Sequence, residues 1–309
     1  MSTWTGAAEA YRRSFATLCA GTIDTLLDAT VPADSLLDVG CGTGELARAA
    51  AQRGLAVTAV DADEDMVEAT RVALGRRDDP PSRSEPLAPA PSPSAQLSTE
   101  SARKTGTAPR SDERPGRPDT GSTAAVLHAA APTLPIADRS ASAVTANFLV
   151  NHVPDPHATT ADLARVLAPG GRLAMTIWPA EPGPHLRAVQ AAAHEVGAVA
   201  PPSTRLSLER DFRRSPEGLA RLAEQAGLQV LRAEEVTWTW RTTAEDILAG
   251  IRARIAGPGR LYLAQPPDRR AELDRATRAH WQAHAEGGGL AFPVTVVLVL
   301  ATICPQDGV

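Results

Sequence analysis

Nine residues constrain the fold of this chain more than any others: Leu36-Leu37-Asp38-Val39-Gly40-Cys41-Gly42-Thr43-Gly44, an apolar run that breaks into alternate glycines. Residues 35–39 read as a short buried strand, and residues 45–53 read as a helix that Gly54 can close. A strand that passes through three glycines into a helix needs backbone that turns sharply and lets a ligand come close, because each missing Cβ removes an obstruction. Such turns belong to chains in which strands and helices alternate and ligands sit past the carboxyl ends of the strands.

The flanking sequence keeps that alternation. Residues 7–27 carry Phe15, Leu18, Ile23 and Leu26 at helical spacing, and Val31-Pro32 ends the run. Residues 56–60 are a second strand, after which Asp61-Ala62-Asp63 leads into a helix holding Met66, Val67 and Val72, with Asp63 as N-cap. Further on, residues 124–127, 143–149 and 172–178 have the short apolar character of buried parallel strands. A helix over 159–167 stops at Pro169-Gly170-Gly171, and another opens with Ser215 and Pro216 and ends at Gly227. A strand over 228–240, helices over 243–255 and 268–286, and a last strand over 294–303 complete the pattern. The class predicted is α/β, with a doubly wound, mostly parallel sheet covered by helices on both faces.

One stretch stands apart. Residues 76–121 hold nine Pro and seven Ser but no Val, Ile or aromatic residue, so they cannot build a core and read as a disordered insert. Residues 1–75 and 122–309 then form a single domain. Of the 309 residues, 43% are hydrophobic, enough for a full-sized core. The net charge of −5 comes without any Lys/Arg-rich block, which argues against nucleic acid or an anionic membrane as partner and favours a small molecule. Cys19, Cys41 and Cys304 are far apart, with neither a disulfide framework nor a zinc site among them. The longest apolar run, 294–304, is too short to span a bilayer as a helix, and the expected location is cytoplasmic.

Three clusters carry chemistry. In the glycine turn the third glycine is Gly44, whereas a dinucleotide fingerprint would place it at position 45, where Glu45 is a poor neighbour for a pyrophosphate. Asp61, 17 residues after Gly44, ends the second strand and can accept hydrogen bonds from both hydroxyls of a ribose; the blander role of helix cap suits Asp63 better. The third cluster, Asn147-Phe148-Leu149-Val150-Asn151-His152, follows the fourth strand and faces the same crevice. His280 and His284 are four apart on one helix face, but no third ligand accompanies them and no metal site is expected.

Taken together, the turn at 36–44, the carboxylate at 61 and the stretch Leu163–Met175 resemble class I S-adenosylmethionine-dependent methyltransferases. The resemblance implies a Rossmann-like sheet of seven strands, with 294–303 inserted antiparallel and helical elements at 181–215 and 243–290 roofing the acceptor pocket. It implies S-adenosylmethionine as cofactor, bound by Tyr11, Asp38, Gly40, Cys41, Gly42, Gly44, Asp61, Ala62, Met66, Asn147 and Phe148. It also implies His152 as the base for a small organic acceptor methylated on oxygen, nitrogen or carbon. Met66 serves equally well as core, and Tyr11 equally well as packing. Ala130 stands where the family normally has an acid near the adenine, leaving backbone groups or Asp138 for that task. Trp178 and His185 should border the acceptor, Trp238 and Trp240 should share one packed face, and Gly287-Gly288-Gly289 reads as a hinge. The alternative is a methyltransferase-like protein that binds the donor without transferring methyl.

Overall fold

The structure, a computed structural model, describes residues 4–75 and 124–303. The segment 76–121 and Cys304 lie outside the described residues. Strands β1 (Ser35–Val39), β2 (Ala56–Asp61), β3 (Ala124–His128), β4 (Ala141–Asn147), β5 (Leu167–Ile177), β6 (Gln229–Thr242), β7 (Ala285–Glu286) and β8 (Gly289–Thr302) form one sheet. Its order is β3-β2-β1-β4-β5-β8-β6, with β7 paired to β8. β1 pairs parallel with both β2 and β4, and β8 runs antiparallel between β5 and β6. The chain winds one way from β1 to β3 and the other way from β4 onward, so the order reverses between β1 and β4. A crevice opens at such a reversal, past the strand ends, where Gly40 follows β1 and Asn147 closes β4.

Among the described residues eleven helices flank the sheet: α1 (Ala8–Arg13), α2 (Phe15–Cys19), α3 (Ile23–Ala29), α4 (Glu45–Gln52), α5 (Glu64–Ala73), α6 (Pro156–Val166), α7 (Pro184–Glu195), α8 (Pro216–Gln225), α9 (Ala244–Arg252), α10 (Ala256–Leu263) and α11 (Pro267–Trp281). Leu26, Leu27, Leu46 and Ala50, from α3 and α4, pack on one face with Leu36 and Val57. Leu163, Val166, Leu219 and Leu222, from α6 and α8, pack on the other face with Val144, Leu173 and Val299. Burial from both sides explains why the central strands are apolar throughout instead of alternating. A third core, around Phe15, Trp240, Ile247, Trp281 and Phe292, joins the N-terminal helices to α7, α9 and the outer half of β8.

Several boundaries differ from the pattern in the sequence. The expected helix over 7–27 breaks at Ser14, whose hydroxyl turns back onto the carbonyl of Ala10 (2.6 Å). It breaks again in a 3-10 turn at Ala20–Thr22, where a Cβ on Gly21 would lie 2.2 Å from Trp238 Nε1. The helix expected to reach 286 ends as α11 at Trp281, and β8 begins at Gly289, five residues before the expected 294. The expected glycine hinge is instead the two-residue turn of the β7–β8 hairpin, with Gly287 (φ 59°) and Gly288 (φ 83°) both left-handed as a tight turn demands. α10 fills the gap between the helices expected over 243–255 and 268–286, passing through Gly257-Pro258-Gly259 because proline is tolerated in a helix's first turn.

Candidate active site

The glycine turn is fixed by the strands beneath it. The Gly40 and Cys41 N–H groups both donate to the Val60 carbonyl at the end of β2 (2.8 and 3.0 Å). Gly40, Gly42 and Gly44 all take positive φ, at 75°, 56° and 87°. The three are not equivalent. A Cβ at Gly40 would meet Leu149 at 2.9 Å and one at Gly42 would meet Tyr11 at 3.3 Å, whereas one at Gly44 would meet the Cα of Thr70 on α5 at 3.0 Å. Gly44 therefore serves helix packing.

Asp61 joins the turn to the next strand. One carboxylate oxygen accepts from the Gly42 N–H (2.9 Å) and the other from the Asp63 N–H (3.0 Å). Burial raises its pKa, against the pull of those two N–H groups. Asp63 caps α5, accepting from the Asp65 N–H, and receives the Thr5 hydroxyl (3.1 Å), which draws the N-terminal segment over the crevice.

Over the crevice lies a cavity of about 940 Å³. Of the residues expected from the sequence, Tyr11, Gly40, Gly42, Asp61, Ala62 and Met66 line it, as do Asn147, Phe148 and His152. Asp38 and Cys41 instead face a small adjoining cleft, shared with Glu45, and Gly44 faces neither. Ala130 lines the cavity with Ala129 and Ala131, but Asp138 is held in an ion pair with Arg165 (2.5 Å). The side chain of Asn147 is engaged within the protein: its Oδ1 accepts from Thr22 and Thr176 and its Nδ2 donates to the Cys19 carbonyl (3.4 Å). Asn147 thus ties the 3-10 turn to β4 and β5.

The far half of the cavity is lined with rings. Phe148, left-handed at φ 57°, stacks on Trp178 with centroids 4.1 Å apart and planes 17° off parallel. Trp4 meets Tyr11 and His152 edge-on at 5.4 and 5.9 Å. His152 stands where the cavity opens, exposed on one side; desolvation by its walls, then the charge of Arg260, lowers its pKa and favours the neutral ring. His185 on α7 is 3% exposed, with its Nδ1 unpartnered and its pKa pushed down by burial to about 4. Trp240 is buried and Trp238 half-buried on one face of β6, packed with Phe15 and Phe292. His280 bonds Glu195 (2.9 Å) while His284 lies on Phe292, so the two rings serve different partners.

Three features fit a ligand carrying a ribose and a cationic group. Gly40 and Gly42 leave a cradle that side chains would fill. Asp61 presents a fixed carboxylate beside it. Asp38, 1% exposed, accepts the Thr145 hydroxyl (2.9 Å) on one oxygen and has no partner on the other, and burial pushes its pKa up to about 7. A cation placed there would restore the carboxylate.

The sequence pattern described as a methyltransferase domain matches residues 10–233. The chain belongs to that family, with the Rossmann-like fold of the class I S-adenosylmethionine-dependent methyltransferases, and S-adenosylmethionine is its cofactor. Among solved structures, a candidate methyltransferase from Bacillus halodurans is similar at 16% identity and a TM-score of 0.50, over 92% of this chain and 99% of that one. The cyclase SpnF is similar at 17% identity and a TM-score of 0.48, over 93% and 82%. Geranyl diphosphate C-methyltransferase from Streptomyces coelicolor is similar at 15% identity and a TM-score of 0.45, over 92% and 78%. No curated protein matches the sequence. Among the described residues no helix is long and apolar enough to cross a membrane.

Proposed function

We propose that this protein is a methyltransferase that acts on a small organic acceptor. The observation that carries the reading is that the Gly40–Asp61 cradle and His152 open onto one cavity, whose volume lies at the top of the range for a single small-molecule site and leaves room for two ligands. When bound, S-adenosylmethionine supplies an electrophilic methyl group on a sulfonium. Asp61 would hold the ribose, Gly40 and Gly42 would let the chain of the donor pass against the backbone, and the unpartnered oxygen of Asp38 would draw its ammonium. Met66 and Ala129–131 would bound the adenine by contact and by backbone groups, since the Ala130 position offers no carboxylate.

On the acceptor side, the Phe148–Trp178 stack and Trp4 exclude water and orient the acceptor, and such positioning supplies most of the acceleration in a displacement of this kind. His152, whose neutral ring is favoured by desolvation and by the charge of Arg260, would take the proton from a hydroxyl acceptor at a ring nitrogen, a role worth about 10²- to 10⁴-fold. Incubation with methyl-labelled donor and a metabolite library is expected to release S-adenosylhomocysteine together with a labelled product. Donor binding without any such release, across acceptors shown to bind, would refute transfer.

A further inference from the structure

Arg260 is a cation for which the site described so far has no use. It stands on α10, lines the cavity, and lies close enough to His152 for its charge to act on that ring. Its Nη1 donates to the Thr204 hydroxyl (2.6 Å), its Nε is buried without a partner, and among the described residues no carboxylate lies within ion-pair distance of the guanidinium. Arg252 on neighbouring α9, by contrast, is neutralised by Glu245 and Asp274. A half-buried guanidinium that lines a cavity without a carboxylate partner is a ready receptor for a bound anion.

The local backbone is built to keep it there. Arg254 and Ala256 are left-handed at φ 73° and 55°, and a Cβ on Gly259 would lie 2.2 Å from the Arg254 carbonyl carbon, so only glycine lets α10 seat against that turn. Non-glycine residues held in that region store strain, which clusters at ligand sites. The first residues of α10, Ala256 to Pro258, also line the cavity, so the positive end of the helix adds to the charge of Arg260. Glu181, the opposing charge on this half, is exposed on the loop after β5, where water screens it. The other walls are mostly apolar, aliphatic as well as aromatic; of the chain's five Trp, four Phe and two Tyr, the cavity takes Trp4, Tyr11, Phe15, Phe148 and Trp178.

We infer that the acceptor has a flat apolar body and one anionic oxygen group, a carboxylate or a phosphate, which Arg260 receives through charge-assisted hydrogen bonds while the Phe148–Trp178 slab takes the body. Calling this ligand the acceptor rests on the methyl-transfer reading; the anion site itself does not. The test is calorimetry with and without saturating S-adenosylhomocysteine, using two matched sets: benzoate, phenyl phosphate and benzamide, and indole-3-acetate with its amide. In at least one set the anion should bind roughly tenfold or more tightly than the amide. Which anion leads separates carboxylate from phosphate. The gap should vanish in Arg260→Gln, persist in part in Arg260→Lys, and shrink in the unaltered protein as NaCl rises from about 0.05 to about 0.5 M. A set-wide absence of any gap, a gap that survives Arg260→Gln, or one indifferent to salt would overturn the inference. Failure of S-adenosylhomocysteine to bind would instead strike the methyl-transfer reading, and the anion gap measured without it keeps the two outcomes apart.

Discussion

Around Gly40 and Asp61 the cavity is shaped by main chain: two N–H groups converge on Val60, two more on the Asp61 carboxylate, and glycines keep the surface bare. Around Arg260 and Trp178 it is shaped by side chains that arrive from α1, α7, α10 and the loops after β4 and β5, separated by more than a hundred residues of sequence. The first region can hold one chemical shape with little freedom to change, since altering it means altering the sheet. The second can be rewritten residue by residue. A fold that keeps one ligand constant and lets the other vary gains by placing them on these two kinds of surface.

This contrast can be broken most decisively at His152. His152→Ala should lower turnover of a hydroxyl acceptor about 10²- to 10⁴-fold while leaving S-adenosylhomocysteine affinity unchanged by calorimetry. Unchanged turnover would remove the base from the side-chain region. At the main-chain region, Asp61→Ala strips the acceptor from two N–H groups and from the proposed ribose site. Donor affinity should fall about 10- to 100-fold, since hydrogen bonds to charged groups are worth about 1.5–3 kcal/mol each; equal affinity would show that Asp61 only braces the turn.

Stability separates packing glycines from merely turned ones. Gly44→Ala meets Thr70 at 3.0 Å and should cost about 2–4 kcal/mol in urea unfolding, combining left-handed strain with overpacking. Gly170→Ala, at φ 75° with nothing within 4 Å, should cost only the strain, about 1–2 kcal/mol. Equal losses would mean that α5 gives way. The smallest effect concerns pH. If His152 is the base proposed above, its neutral form is the working form and its pKa is lowered, so activity should be lost as pH falls through a limb below 6.5. Arg260→Gln removes one of the two causes and should move that limb upward in a kcat/KM profile. A limb that stays fixed would mean that desolvation alone sets it.

Legibility followed the same division. The main-chain region could be read from sequence because its determinants are local: a strand, alternate glycines, and an acid at the end of the next strand. Asp63 and Ser215 were recognisable as caps for the same reason, and both accept the expected N–H bonds. Arg260 was not recognisable, since nothing near it in sequence shows that the guanidinium is unpaired or that Ala256 turns left-handed. Likewise Gly21 and Gly250 look like ordinary helix breakers until Trp238 and Ser14 are seen against them. The packing role of Gly44 was not legible, because its partner, Thr70, lies 26 positions on, across a strand and a helix start.

The place of β8 between β5 and β6 has a kinetic consequence. β5 and β6 share no ladder with each other, so both keep open hydrogen-bonding edges until the final strand of the sheet arrives. During synthesis on the ribosome, β1 to β5 can assemble early, but the sheet waits for residues 289–302 to be threaded between two strands already made. Such late, long-range closure is slow. Two unpaired edges exposed in that interval are the kind of surface on which nascent chains associate.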